Sequence, residues 1–237
     1  MDTMTAARPR HLVMAGAGLL VTLVGAWALE NQARPTNPDL LSAAAYAVAW
    51  LPMAVVLFLA FRGESLRDAS TALGLRFQPI DLLWGAGIGF VARAADAVLR
   101  LALVGSTGLG QQPTISAIEV PIAQTVALGI IAPVLIAPVL EEIYFRGLIQ
   151  RSTAALLEPL GTVTKWTAAV VLTSLAFALV HALLLLAQPE EAMLAGISTF
   201  AFALLAGTVA AATNRLGGAV VGHIVFNGLG VLLTWPA

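Results

Sequence analysis

The chain alternates between long apolar runs and short polar connections. Apolar stretches cover 12–29, 41–61, 82–104, 120–140, 163–187, 192–213 and 218–235. Each approaches or exceeds the roughly 20 residues that carry a helix across a bilayer. Such runs become helices, because hydrocarbon offers no partner to a free backbone group. The pattern predicts an all-α fold, a polytopic transmembrane helix bundle of about seven spans. The count becomes eight if the long stretch 113–158 holds an extra short helix. The first run follows Arg8 and Arg10, as a secretory signal would. It is long, and its exit "GAWALEN" is only a loose small-x-small site, so it reads as a retained helix.

Two connections stand out. The segment 62–81, "RGESLRDASTALGLRFQPID", reads as a short amphipathic piece on the cytoplasmic face. The segment 105–119 reads as an outer loop, since its Gly and Gln-Pro content argues against continued helix. No internal repeat and no low-complexity linker divides the chain.

Composition agrees with the pattern. Of 237 residues, 59% are hydrophobic and 11% charged, and the mean hydropathy is +0.90. A soluble domain carries about 25% charged residues, so this chain lacks the polar surface to coat a water-soluble body and reads as integral to a membrane. The net charge of −1 suggests no nucleic-acid partner. The absence of cysteine excludes disulfides, thiolate catalysis and cysteine-based zinc sites. With seven spans and a cytoplasmic N-terminus, the inner segments hold Arg8, Arg10, Arg62, Arg67, Arg76, Arg146, Arg151, Lys165 and Arg215. The outer segments hold Arg34 alone. That asymmetry predicts an N-in, C-out chain in a bacterial-type cytoplasmic membrane.

Ionisable groups at membrane depth mark functional sites. Here they are Arg93, Asp96, Arg100, Glu141, Glu142, Arg146, His181 and His223, with Asn227 beside them. Glu142 and Arg146 are four apart on a helix and can neutralise each other. Taken alone, the pair is a salt-bridged helix end. It also leaves Glu141, about 100° round the helix, free for chemistry. His181 shares a helix face with Phe177, as a packing histidine would, and His223 with Asn227, as an interhelical hydrogen-bonding pair would. The constellation raises another reading. A hairpin at 158–162 would bring Glu141 and His181 to the same depth, where a carboxylate and an imidazole make a general-base pair. Straight full-length spans would leave His223 displaced in depth. The His181 helix must then end soon after the histidine, or the later helices must be tilted or staggered.

Three ordered elements carry a resemblance: Glu141-Glu142-Ile-Tyr-Phe-Arg146, Phe177-Ala-Leu-Val-His181 and His223-Ile-Val-Phe-Asn227. In this order, on late membrane helices, they resemble the CAAX protease and bacteriocin-processing (CPBP, or Abi) family of intramembrane proteases. Phe145-Arg146-Gly147 and "LGLR" at 73–76 are similar as well. A further family motif, phenylalanine with spaced glycines, is degenerate in "FAFALLAG", with Ala203 where glycine is common. The resemblance covers about 120–230. It divides the chain into N-terminal membrane helices with the amphipathic segment, 1–119, and a catalytic helix core, 120–237. It implies peptide-bond hydrolysis in the membrane. Glu141 and His181 would activate water, His223 and Asn227 would stabilise the oxyanion, and Glu142 and Arg146 would support the site. The partners would be the bilayer and a membrane-anchored or lipidated protein. No cofactor is expected. The alternative is a zinc ion on Glu141, His181 and His223, although no H-E-x-x-H is present. Two other functions use the same residues. One is a transporter or proton relay, joined by Arg93, Asp96 and Arg100 at i, i+3 and i+7, which could equally be a self-neutralising stripe. The other is a non-catalytic scaffold of the same fold.

Overall fold

The computed structural model describes residues 9–31, 38–107 and 126–234. Expectations for Arg8, for Arg34, and for most of the 105–119 loop and the start of the fourth run lie outside them. The described residues form one 3-10 turn and eight helices. They are α1 (Pro9–Asn31), α2 (Pro38–Ala60), α3 (Leu66–Leu73), α4 (Ile80–Val104), α5 (Ala127–Leu156), α6 (Thr162–Leu183), α7 (Pro189–Thr213) and α8 (Gly217–Thr234). Five of them, α1, α2, α5, α6 and α7, are long and apolar enough to cross a membrane. Helix α4 carries four charges, and α8 is shorter.

The fourth span differs from its sequence expectation. Its helix does not stop at Leu140 but runs on to Leu156. Glu141 and Glu142 therefore sit within the helix, not at its end. Arg146, assigned above to a cytoplasmic segment, is fully buried inside α5, which shortens the basic tally on that side by one. The helix can continue through these charges because they are paired internally.

Helix α5 is wound loosely on both sides of Ala137–Glu142, with π-type turns over Ala127–Ile136 and Ile143–Gln150. Such turns are rare and concentrate at functional sites. The Ala137 N–H bonds to the Ala132 carbonyl, five residues back. In that register the Pro133 carbonyl faces residue 138, a proline with no N–H. The orphaned carbonyl is satisfied from another helix: Asn227 Nδ2 donates to it at 2.8 Å.

Packing follows the rules of lipid, where small residues rather than apolar bulk let helices approach. Gly85 and Gly89 on α4 lie against Val221, Gly222 and Val225 of α8, where any Cβ would fall within 3 Å of those residues. The helix ends around the turn before α8 are held by polar contacts. Leu216 N–H donates to the Gly74 carbonyl and Gly217 N–H to the Arg76 carbonyl, so "LGLR" forms a short ladder with the turn before α8. Arg215 donates to both Asp81 oxygens, at 3.1 and 2.6 Å. That hydrogen bond holds the Asp81 carboxyl below the usual carboxylate range. Ser65 caps α3, and Gly74, at φ 71°, ends it.

Candidate active site

His181 lies near the end of α6, whereas His223 lies six residues into α8. The depth mismatch foreseen from straight spans is resolved in two ways. Helix α6 ends at Leu183, two residues past His181. The turn before α8 also sits beside the middle of α5: a Cβ on Gly147 would touch Leu73 and Leu216. The α5–α6 hairpin, with its 3-10 turn at Glu158–Leu160, thus extends beyond the start of α8. The histidine helices are staggered, and their imidazoles come level.

Both rings converge on one carboxylate. His181 Nε2 is 3.9 Å from Glu141 Oε2, and His223 Nε2 is 3.8 Å from the same oxygen. The other ring nitrogens are committed elsewhere. His181 Nδ1 lies 2.9 Å from the Phe177 carbonyl, which can only accept, so Nδ1 carries the proton and Nε2 faces Glu141 with its lone pair. His223 Nδ1 lies 2.8 Å from Glu142 Oε1, which likewise calls for a proton on Nδ1. Arg146 Nη1 donates to that same oxygen at 2.8 Å. Glu142 therefore joins the arginine of its own helix to the histidine of α8, and Glu142 and Arg146 are both buried. The i, i+4 pair was legible from spacing; the link to His223 was not.

Glu141, His181, His223 and Asn227 all line one cavity of about 310 Å³. Pro133, Ala137, Phe177, Thr199, Phe202 and Phe226 complete its inner wall. Tyr46, Ala49 and Trp50 of α2 close another side, a contribution the sequence reading missed. Tyr46 and Trp50 stack at 4.6 Å, and the Tyr46 hydroxyl donates to the Leu128 carbonyl at 2.8 Å. The available signal was an aromatic pair at four-residue spacing in an apolar helix, but most such pairs only pack. Aromatic rings brace the histidines: Phe177 lies 4.2 Å from the His181 ring and Phe202 4.7 Å from the His223 ring. Arg146 stacks over Phe177 at 4.6 Å.

Chemically, this is a carboxylate flanked by two imidazoles in a small, mostly apolar chamber. Charges and dipoles act most strongly at the site's buried members, Glu142 and His223. The zinc alternative needs three donors at about 2.0–2.2 Å from one point, which puts tetrahedral ligand atoms roughly 3.4 Å apart. The carboxylate–imidazole distances, 3.9 and 3.8 Å, exceed that by about 0.4–0.5 Å. Among the described residues no group of three or more His, Asp, Glu or Cys is arranged to hold a metal ion. The three groups stand farther apart here than the ligands of a closed zinc site.

Arg93, Asp96 and Arg100 lie outside the cavity. Asp96 pairs with both arginines, at 2.8 and 3.4 Å, and Arg100 also reaches Glu191 of α7. They form the self-neutralising stripe, extended by one further carboxylate.

Residues 123–229 match a known family, described as Rce1-like: type II CAAX prenyl endopeptidase Rce1-like. The match takes in Glu141, Glu142, Arg146, His181, His223 and Asn227, but none of the residues of α1–α4. No curated protein and no solved structure matches the chain.

Proposed function

Because residues 123–229 match the Rce1-like family of type II CAAX prenyl endopeptidases, we propose that the protein is an intramembrane endopeptidase. Its substrates are membrane-associated or lipidated proteins. The observation that carries this reading is the pair of imidazole Nε2 atoms within 3.9 Å of one Glu141 oxygen, in a cavity that Asn227 also lines.

Each residue then has a role. A water held between Glu141 Oε2 and His181 Nε2 gives its proton to this pair as its oxygen attacks the scissile carbonyl. The Phe177 carbonyl fixes the tautomer that leaves His181 Nε2 able to accept. Negative charge develops on the substrate oxygen, where His223 Nε2 and the second N–H of Asn227 Nδ2 meet it. His223 already donates Nδ1–H to Glu142, so donating from Nε2 as well makes it an imidazolium. Arg146 and the imidazolium then face two carboxylates, Glu142 and Glu141, and the oxyanion takes over the second negative charge as the Glu141–His181 pair receives the proton. The proton taken from water passes to the leaving amine as the tetrahedral intermediate collapses.

A lipidated substrate is supported by a second space. An apolar groove of about 770 Å³ runs between α1, α2 and the end of α6, and shares Tyr46 and Ala49 with the catalytic cavity. A hydrocarbon anchor fits there while the adjoining peptide reaches Glu141. Transport is disfavoured because Arg93, Asp96 and Arg100 are tied to partners rather than strung towards the cavity.

The test uses the purified protein in lipid nanodiscs with an internally quenched peptide carrying an S-farnesylated CAAX terminus. Glu141→Ala should remove essentially all cleavage. Asn227→Ala should leave about one part in a hundred to a thousand, the usual loss for one oxyanion donor. Exhaustive chelation should leave the wild-type rate unchanged. Loss on chelation with recovery on added zinc would replace this mechanism with a metal-dependent one. Cleavage that survives Glu141→Ala would sink the reading.

A further inference from the structure

On α4, outside the matched core, one buried-side cation is aimed at the helix that carries His223 and Asn227. Arg93 donates from Nε and Nη2 to the Phe226 carbonyl of α8, at 3.1 and 2.6 Å. Its guanidinium plane also lies 3.9 Å from the centre of the Phe226 ring. The third nitrogen, Nη1, donates to Asp96 at 2.8 Å, which fixes the fork. A helical carbonyl ordinarily bonds the N–H four residues on, here Gly230. The guanidinium comes so close at that point that a Cβ on Gly230 would lie 2.6 Å from Arg93 Nη2.

From Phe226 the contacts run on into the site. The Phe226 ring stacks on Phe202 at 5.0 Å and 20°. Phe202 in turn lies 4.7 Å from the His223 ring. The held carbonyl belongs to the residue next to Asn227. One side chain on α4 thereby fixes the axial position of α8 and one face of the catalytic imidazole.

We propose that Arg93, admitted by Gly230, is a positioning residue for the oxyanion-stabilising pair His223 and Asn227. This rests on the peptidase reading. Arg93 does not line the cavity, so it touches no substrate. It acts through the geometry of α8, where misplacement by about an ångström costs roughly a hundredfold in rate. A guanidinium is required because only its planar fork can grip the carbonyl twice and stack at the same time. Asp96 keeps Arg100 as a partner when Arg93 is removed, so the substitution leaves no uncompensated carboxylate.

The experiment compares Arg93→Met, Arg93→Lys and Gly230→Ala with wild type and Glu141→Ala, using the same farnesylated peptide. Arg93→Met should lower kcat about ten- to a hundredfold with KM within about twofold. Gly230→Ala, which keeps the charge but displaces the fork, should reproduce that loss. Arg93→Lys should not restore the rate. In parallel, hydrogen exchange at the C2 position of each histidine, read by mass spectrometry, should quicken at His223 in Arg93→Met and Gly230→Ala but not at His11. Full activity in Arg93→Lys would mean that Arg93 only balances Asp96, and would overturn the proposal. So would unchanged kcat and unchanged His223 exchange in the other two variants. If Glu141→Ala leaves cleavage intact, the peptidase reading fails by itself, and His223 exchange still decides whether Arg93 positions that ring. Should Arg93→Met fail to fold, Gly230→Ala keeps the guanidinium and carries the test.

Discussion

At the scale of residues, the two adjacent glutamates have opposite surroundings. Glu142 shares one oxygen between Arg146 and His223 and is sealed from solvent. Glu141 lies against the cavity and reaches no closer than 3.8 Å to either imidazole. The same chemistry a hundred degrees apart on one helix thus gives one structural and one available carboxylate. The energetic consequence is testable. Removing one member of a buried ion pair leaves the other unpaired, typically at about 3–5 kcal/mol. Glu142→Gln and Arg146→Ala should therefore lower folded yield and thermal stability in detergent well below those of Glu141→Gln. Fluorescence-detected size-exclusion profiles would check this, and equal profiles for all three would contradict the structural role of Glu142 and Arg146.

At the scale of elements, α5 is the unusual piece. Its two prolines, Pro133 and Pro138, stand five apart in a stretch wound with five-residue hydrogen bonds. The second removes the donor that the carbonyl of the first would use, and Asn227 replaces it across the helix interface. Asn227 is therefore bound into the fold as well as into the cavity, which separates two kinds of loss. Asn227→Ala should destabilise by about 1–3 kcal/mol, the cost of an unsatisfied buried acceptor. Adding Pro138→Ala returns an N–H to α5 and should recover much of that stability, measured as melting temperature in detergent. It should not recover activity, because the amide facing the cavity is still missing. Recovery of both together would remove Asn227 from the chemistry; recovery of neither would mean that Pro138 does not orphan the carbonyl.

At the scale of the whole molecule, the basic residues gather at one end. The start of α1, which carries Arg10, meets the end of α2, just before Arg62, through His11 and Phe61. Arg151 bonds Asn214, and Arg76 and Arg215 flank the turn before α8. This clustering predicts that the N-terminus and that end face the cytoplasm. Reporter fusions should find the N-terminus inside and the C-terminus outside, and termini on the same side would refute it. The sequence alone determined the helical membrane class, since 59% hydrophobic residues in runs of this length leave no other way to satisfy the backbone. It also carried the family resemblance of the core and the pairing of Glu142 with Arg146, because ordered motifs and i, i+4 spacing are local properties. Tertiary structure decided what depends on stagger and contact between distant segments. Spacing could not tell that α5 runs on past its charges, because their burial depends on His223, 81 residues away. It could not bring His181 and His223 level either, because that depth is set where Gly147 meets Leu73 and Leu216. The part played by α2 and Arg93 was hidden for the same reason: an apolar stripe or a lone cation acquires a role only from the surface it meets.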